Sequence, residues 1–359
     1  MFYREAGEFK TSYSADQALF PIPMDRWFVI AVIAFAYLVI PFISSSYWLG
    51  SILVPVLILS IAAIGLNILT GYAGQLSLGT GGFMACGAYM AYKITTAFPD
   101  LNLVVVFMLS GLCAAAVGII FGIPSLRIKG FYLAVTTLAA QFFLLWLFTR
   151  VPWFVNYSIS GVPTAPPREM FNTMISGATA TPEARYIFVL SIVVVLALLA
   201  KNMVRSRIGR CWMAIRDMDI AAEIIGIRPL TTKLTAFAIS SFYCGVAGAL
   251  WAFCYINTVE PTAFDVNRSF SILFMIIIGG LGSILGSFFG AAFIFLLPIF
   301  LNNMPGWFGF EVSAILISHI ELMVFGALII FFLIVEPHGL ARLWQIAKEK
   351  LRLWPFPHL

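Results

Sequence analysis

Long apolar runs, separated by short clusters of glycine, proline and charge, set the pattern of the chain. A helix that crosses the roughly 30 Å hydrocarbon layer of a membrane needs about 20 mostly apolar residues. Runs that meet or approach this length lie at 27–45, 50–69, 80–97, 102–122, 131–150, 185–200, 234–256, 266–279, 284–301 and 316–335. The pattern predicts an all-α, polytopic membrane protein of about ten transmembrane helices. Several runs are short or interrupted by glycine, so the expected count is eight to ten. A tail at 1–26, a membrane domain at 27–335 and a tail at 336–359 complete the division.

Orientation follows from Lys and Arg, which are retained on the cytoplasmic side. Seven of them (Lys201, Arg205, Arg207, Arg210, Arg216, Arg228 and Lys233) crowd the segment 201–233, against Arg168 alone in the loop 151–184. The first segment is expected in the cytoplasm and the second outside. Arg127 and Lys129 join the cytoplasmic group, whereas 257–265, with Glu260 and Asp265, faces outward. Ten crossings satisfy these assignments with both termini cytoplasmic. The N-terminal tail carries Glu5, Glu8, Asp16 and Asp25, unlike a signal peptide, and is expected to be retained.

Composition narrows the class. Of 359 residues 61% are hydrophobic and 10% charged, with a mean hydropathy of +0.99; a soluble protein carries roughly 25% charged residues. The net charge of +5 is explained by membrane orientation, so nucleic acid is not an expected partner. Five cysteines without paired spacing or adjacent histidines suggest packing and no metal site.

Two glycine-rich stretches interrupt the apolar pattern. Gly71–Gly82 carries Gln75, Ser77 and Thr80 and follows Asn67 and Thr70, while Gly279–Gly290 lies between two short apolar runs. Irregular backbone survives at membrane depth only beside protein or a water-filled path. Interrupted segments, one in each half of a transport protein, point to a midplane solute route. Asn67, Gly71, Gly74, Gln75, Ser77, Gly279, Gly280 and Gly282 are therefore candidate path residues, with close helix packing as the alternative. In the basic loop, Ala214–Pro229 predicts a short helix that stops at Gly226 and either docks a soluble partner or lies on anionic lipid.

Five motifs, taken in order, resemble the branched-chain amino-acid ABC-transporter permease family over about residues 50–345. They are L-N-I-L-T-G-Y-A-G-Q-L-S-L-G from Leu66, P-S-L-R-I-K-G-F-Y-L-A from Pro124, the loop Ser206–Ile227, G-G-L-G-S-I-L-G from Gly279 and E-P-H-G-L from Glu336. The resemblance implies a bacterial inner-membrane permease subunit that forms the path for branched-chain amino acids or a related solute. It implies as partners a related permease subunit or a second copy, two cytoplasmic ATPase subunits, an external solute-binding protein and membrane lipid. It also implies that the loop docks the ATPase through Arg216, Asp217, Asp219, Ala221, Ala222, Glu223 and Gly226. Ala221, Ala222 and Gly226 match the importer signature E-A-A-x-x-x-G, while Ile220 stands in place of its Glu; Thr80-Gly81 also departs from the family pattern.

No G-x-x-x-x-G-K-[ST] phosphate loop occurs in the sequence. The expectation is therefore a non-enzymatic chain with no catalytic residue, no metal and no bound cofactor, and with ATP used by partners. The competing reading is an ion-coupled secondary transporter, for which His319 and Glu321 are the only intramembrane ionisable candidates.

Overall fold

The computed structural model describes residues 12, 23–126, 132–158, 161–170, 173–177, 179–307, 314–336 and 338–353. The basic residues Arg127 and Lys129 and most of the N-terminal tail lie outside them. Helix α1 (Pro23–Leu38) and the single turn Ile40–Ile43 lead into α2 (Val54–Asn67), which π-helical turns at Trp48–Leu53 and Ile68–Tyr72 extend at both ends. There follow α3 (Thr80–Ala97), α4 (Leu103–Ser125) and α5 (Tyr132–Arg150). A small antiparallel hairpin, β1 (Arg168–Met170) with β2 (Thr173–Ser176), precedes α6 (Pro182–Arg205). Two short helices, α7 (Arg207–Asp217) and α8 (Asp219–Ile224), connect it to α9 (Pro229–Leu250), which ends in a π-helical turn at Trp251–Ile256. Helices α10 (Val266–Gly279), α11 (Ile284–Trp307), α12 (Ala314–Val335) and α13 (Gly339–Leu353) complete the chain.

Every expected span falls on a helix, and eight stretches of the described residues are long and apolar enough to cross a membrane. Of the other two, α3 is too rich in Gly, Thr and Tyr to qualify, and α12 contributes an apolar stretch at Met323–Phe332. The polarity of α3 is consistent with its position: most of its residues are buried within the protein, so it presents little surface to lipid.

Burial separates the central helices from the peripheral ones. In the most apolar 18-residue stretch of each of the spans Trp48–Tyr72 and Pro229–Ile256, 83% of the residues are buried, against 0% in that of Asp25–Ile43. Helix α9 packs chiefly against α3 and α4, and α2 fills the space between α9, α11 and α6. Lipid is as apolar as leucine, so such contacts gain mainly from close van der Waals approach through small residues. A Cβ on Gly248 of α9 would collide with the Met84 carbonyl of α3, and one on Gly87 with the Gly245 carbonyl. Backbone meets backbone along this seam, which no larger residue allows.

The connecting segments gather at the two ends of the bundle. Thr164 pairs with Thr258, Ala165 N–H donates to the Asn257 carbonyl and Val259 N–H to the Pro163 carbonyl. The two segments expected on the outside, 151–184 and 257–265, thus share one end. Helix α6 runs through Arg205 and α9 starts at Pro229, so helices take up part of the expected loop 201–233. Pro229, at the end of the stretch expected to hold a short helix, stands in the first turn of α9, where its missing N–H costs nothing.

Candidate functional site: a broken helix joined to the α7–α8 loop

The first glycine-rich stretch breaks the chain between α2 and α3. The π-helical turn Ile68–Tyr72 loosens the end of α2, and 73–79 has no regular helix before α3 starts at Thr80. Gly74 has φ +68°, and a Cβ there would lie 2.9 Å from Arg216 Cγ. Gly71 lies against Asn67 and the Gly282 backbone, leaving no room for a side chain.

Asn67, 1% exposed, ties this break to the second glycine-rich stretch. Its Nδ2 donates to the Ser283 carbonyl at 2.8 Å, to Ser287 Oγ at 2.9 Å and more weakly to the Gly280 carbonyl at 3.4 Å. Its Oδ1 accepts from Gly282 N–H at 2.8 Å. The amide thereby fastens the α10–α11 turn, where Gly280 (φ +118°) and Gly282 (φ +75°) hold backbone conformations that L side chains resist. Gly279 packs against the Gly286 carbonyl, so this stretch is also a close helix contact. Sequence separation of more than 200 residues is bridged by one side chain.

Beyond the break, polar groups collect around the start of α3. Leu78 N–H donates to Thr137 Oγ1 at 3.0 Å, Gly81 N–H to Ser269 Oγ at 2.8 Å and Gly82 N–H to Gln141 Oε1. Gln141 Nε2 in turn donates to the Phe264 carbonyl at 2.8 Å, and Ser269 Oγ to Gln141 Oε1 at 3.2 Å. The first turn of α3, which has no intrahelical partners for its N–H groups, is thus satisfied by α5 and α10. Ser77 accepts a long hydrogen bond from Gly79 N–H at 3.4 Å. Gln75 differs from its neighbours: it is 4% exposed, yet neither its Oε1 nor its Nε2 has a partner. Thr80 Oγ1 is likewise buried without one. Buried polar side chains are normally bonded, so these groups call for an explanation.

The α7–α8 loop reaches the same break. Helix α7 buries Gly209, Trp212 and Ile215 on one face, with Trp212 Nε1 donating to Thr235 Oγ1 at 3.1 Å. From its last turn Arg216 donates through Nη1 to the Gly71 carbonyl at 3.0 Å and through Nε to Asp217 Oδ1 at 2.9 Å. Met218 then interrupts the helix with extended backbone. Helix α8 closes on a Schellman motif: Gly226 (φ +91°) donates to the Glu223 carbonyl and Ile227 to the Ala222 carbonyl, both at 3.0 Å. Ala222 faces inward at 2% exposed, whereas Ala221 and Glu223 are exposed. Met218, Ile220, Ile224 and Ile225 are 70–81% exposed on the outer surface. Asp219 lies 3.9 Å from Lys233 Nζ.

Of the residues singled out from sequence, Asn67, Gly71, Gly74, Gly280, Gly282 and Arg216 come together at one junction, while Gln75 and Ser77 lie in the irregular segment between it and α3. Thr137, Gln141 and Ser269 escaped sequence reasoning because each is an isolated polar residue in an apolar helix. Their depth gave no signal in the sequence. His319 is an exposed residue of α12. Glu321 belongs to the same helix.

Comparison with known proteins bears on the whole arrangement. The family described as branched-chain amino acid transport system, permease component, matches residues 48–333. The high-affinity branched-chain amino acid transport system permease protein LivM of Salmonella typhimurium is 31% identical over 303 residues, covering 78% of this chain and 67% of that protein. Its namesake in Escherichia coli is 34% identical over 246 residues, covering 62% and 56%. A probable branched-chain amino acid transport permease protein LivM of Methanocaldococcus jannaschii is 24% identical over 242 residues, covering 66% and 68%. The matched part thus spans 56–67% of the length of the two bacterial relatives. No solved structure matches significantly. With the family match extending from the start of α2 almost to the end of α12, the chain belongs to the branched-chain amino acid transport system permease family.

Proposed function

We propose that the chain is the translocation-path subunit of an ATP-dependent importer in the bacterial inner membrane, carrying branched-chain amino acids or a closely related solute. The observation that carries this reading is the family match over residues 48–333; the names of the relatives supply the solute class. ATP hydrolysis belongs to separate subunits, and the chain itself binds no cofactor. Both termini and the α7–α8 loop are cytoplasmic, and the hairpin end faces an external solute-binding protein.

The geometry supplies a mechanism for this role. The exposed Met218, Ile220, Ile224 and Ile225 form an apolar surface that suits an ATPase groove, with Asp217, Ala221 and Glu223 on its rim. Ala222 and Gly226 hold the shape of this surface from within. Movement of α7 under the closing ATPases pulls on the Gly71 carbonyl through Arg216. The π-helical turn and Gly74 let that end yield, while Asn67 carries the displacement to the α10–α11 turn. The irregular segment with Gln75 and Ser77 is part of the solute path, where the unpartnered amide of Gln75 offers a donor and an acceptor to a passing amino acid. A second permease subunit completes the path.

The test is uptake of labelled leucine by proteoliposomes that contain this chain, its permease partner, both ATPases and the solute-binding protein. Uptake should require ATP and be indifferent to sodium and proton gradients. Gradient-driven uptake without ATP would overturn the reading in favour of an ion-coupled transporter.

A further inference from the structure

Two cavities adjoin at the hairpin end of the bundle, one apolar and one polar. The first, about 610 Å³, lies between α4, α6 and the hairpin and is lined by groups such as Met108, Ile175, Ile187 and Val195. Its two hydroxyl groups are already engaged: Ser191 Oγ accepts from Tyr37 at 2.8 Å and donates to the Ile187 carbonyl, and Thr173 Oγ1 donates to the Met170 carbonyl. The second cavity, about 520 Å³, is lined by Asp100, Asn102, Arg168 and Glu169 among others. Met170 lines both, and the adjacent residues Leu103 and Val104 line one each, so the two spaces are neighbours.

Their dimensions and depth match one molecule. The apolar groove follows α6 from Ala184 to Val195, about 16 Å of helix at about 1.5 Å per residue. That is one leaflet of a hydrocarbon layer roughly 30 Å thick. The polar cavity lies where α4 and the hairpin meet, at the level where the spans end. Arg168 is positioned there by donating to the Thr95 carbonyl at 2.6 Å, and Asp100 and Glu169 are exposed beside it.

We infer that this pair of cavities binds a single zwitterionic phospholipid with a primary ammonium headgroup, of the phosphatidylethanolamine type. One acyl chain lies in the groove along α6. The phosphate meets Arg168, and the ammonium donates to Asp100 and Glu169. The charges select the headgroup. An anionic lipid would face two carboxylates for one guanidinium, and a trimethylated headgroup has no N–H to give them. The site is independent of the solute path and rests only on the chain spanning a membrane.

The test uses the chain co-expressed with its partner subunits and placed in nanodiscs of phosphatidylethanolamine, phosphatidylcholine or phosphatidylglycerol, with retained lipid read by native mass spectrometry after detergent extraction. One phosphatidylethanolamine per chain should be retained in preference to the other two. Ile187→Trp fills the groove from a position 40% exposed and should abolish retention. Asp100→Asn with Glu169→Gln, both at exposed positions, should weaken it about tenfold and erase the preference over phosphatidylcholine. If Ile187→Trp fails to fold, the double variant alone decides. Equal retention of all three lipids, or retention unchanged in the double variant, would overturn the inference. So would a photo-crosslinker at position 187 that captures a protein subunit in place of lipid.

Discussion

At the scale of single residues, Gln75 separates path from packing. A buried amide with no partner carries a cost of about 1–3 kcal/mol, so replacing it with an apolar group of similar shape should stabilise the fold. Gln75→Leu is expected to raise the melting temperature of the detergent-solubilised chain and at the same time lower the rate of solute uptake. Higher stability with normal uptake would identify Gln75 as a packing residue. Gly226 gives a second residue-scale test. Its φ of +91° makes Gly226→Val strained, whereas Asn tolerates the left-handed region better. Gly226→Val should weaken recovery of the ATPase with the purified permease, and Gly226→Asn should retain most of it. The Gly226 stop was legible because glycine followed by proline is a local signal. The junction partner of Asn67 was not, because Ser283 and Ser287 are more than 200 residues away and no periodicity links them.

At the scale of elements, the proposed mechanism makes α7 a lever and α8 its contact surface. The lever is held by Trp212 and Ile215 in the bundle and by Arg216 on the Gly71 carbonyl. Arg216→Ala should leave the ATPase bound but reduce solute-stimulated ATP hydrolysis, since it cuts the link between loop and break. Ile220→Asp together with Ile224→Asp should instead release the ATPase, measured by co-purification, while the membrane domain melts at its usual temperature. Ala222→Trp would disturb the inner packing of the loop, a different outcome from that expected of a contact residue. The inward position of Ala222 was not legible in the sequence, because Met218, which is neither Gly nor Pro, divides what reads as one helix. The turn between α7 and α8 rotates the register, so Ala222 is turned inward and the isoleucines outward. The spans, by contrast, were legible almost throughout, since lipid imposes a long apolar run on each peripheral helix. Among the described residues, α3 is too polar for that rule, and with most of its residues buried in protein it presents little surface to lipid.

At the scale of the molecule, the bundle ties its loops into two groups, and this reduces orientation to a single choice. The hairpin region is joined to 257–259 by the Thr164–Thr258 bridge, and the α7–α8 loop is joined to Gly71 by Arg216. Neither group can change sides without the whole chain inverting. The seven basic residues of 201–233 favour the cytoplasm for their group. A cysteine-accessibility measurement decides the matter, provided that the background is silent. Cys86, Cys244 and Cys254 are buried and act as small apolar groups, so alanine suits those positions; Cys113 and Cys211 are partly accessible and must also be replaced. Ser176 is a poor reporter, being buried with its hydroxyl bonded to the Pro166 carbonyl at 3.2 Å. Tyr157, 73% exposed near the hairpin, and Glu223, exposed on α8, are better placed. In intact cells Tyr157→Cys should react with an impermeant maleimide and Glu223→Cys only after the membrane is permeabilised. The reverse pattern would invert the whole molecule, and the exposed isoleucines of α8 would then face away from any cytoplasmic ATPase.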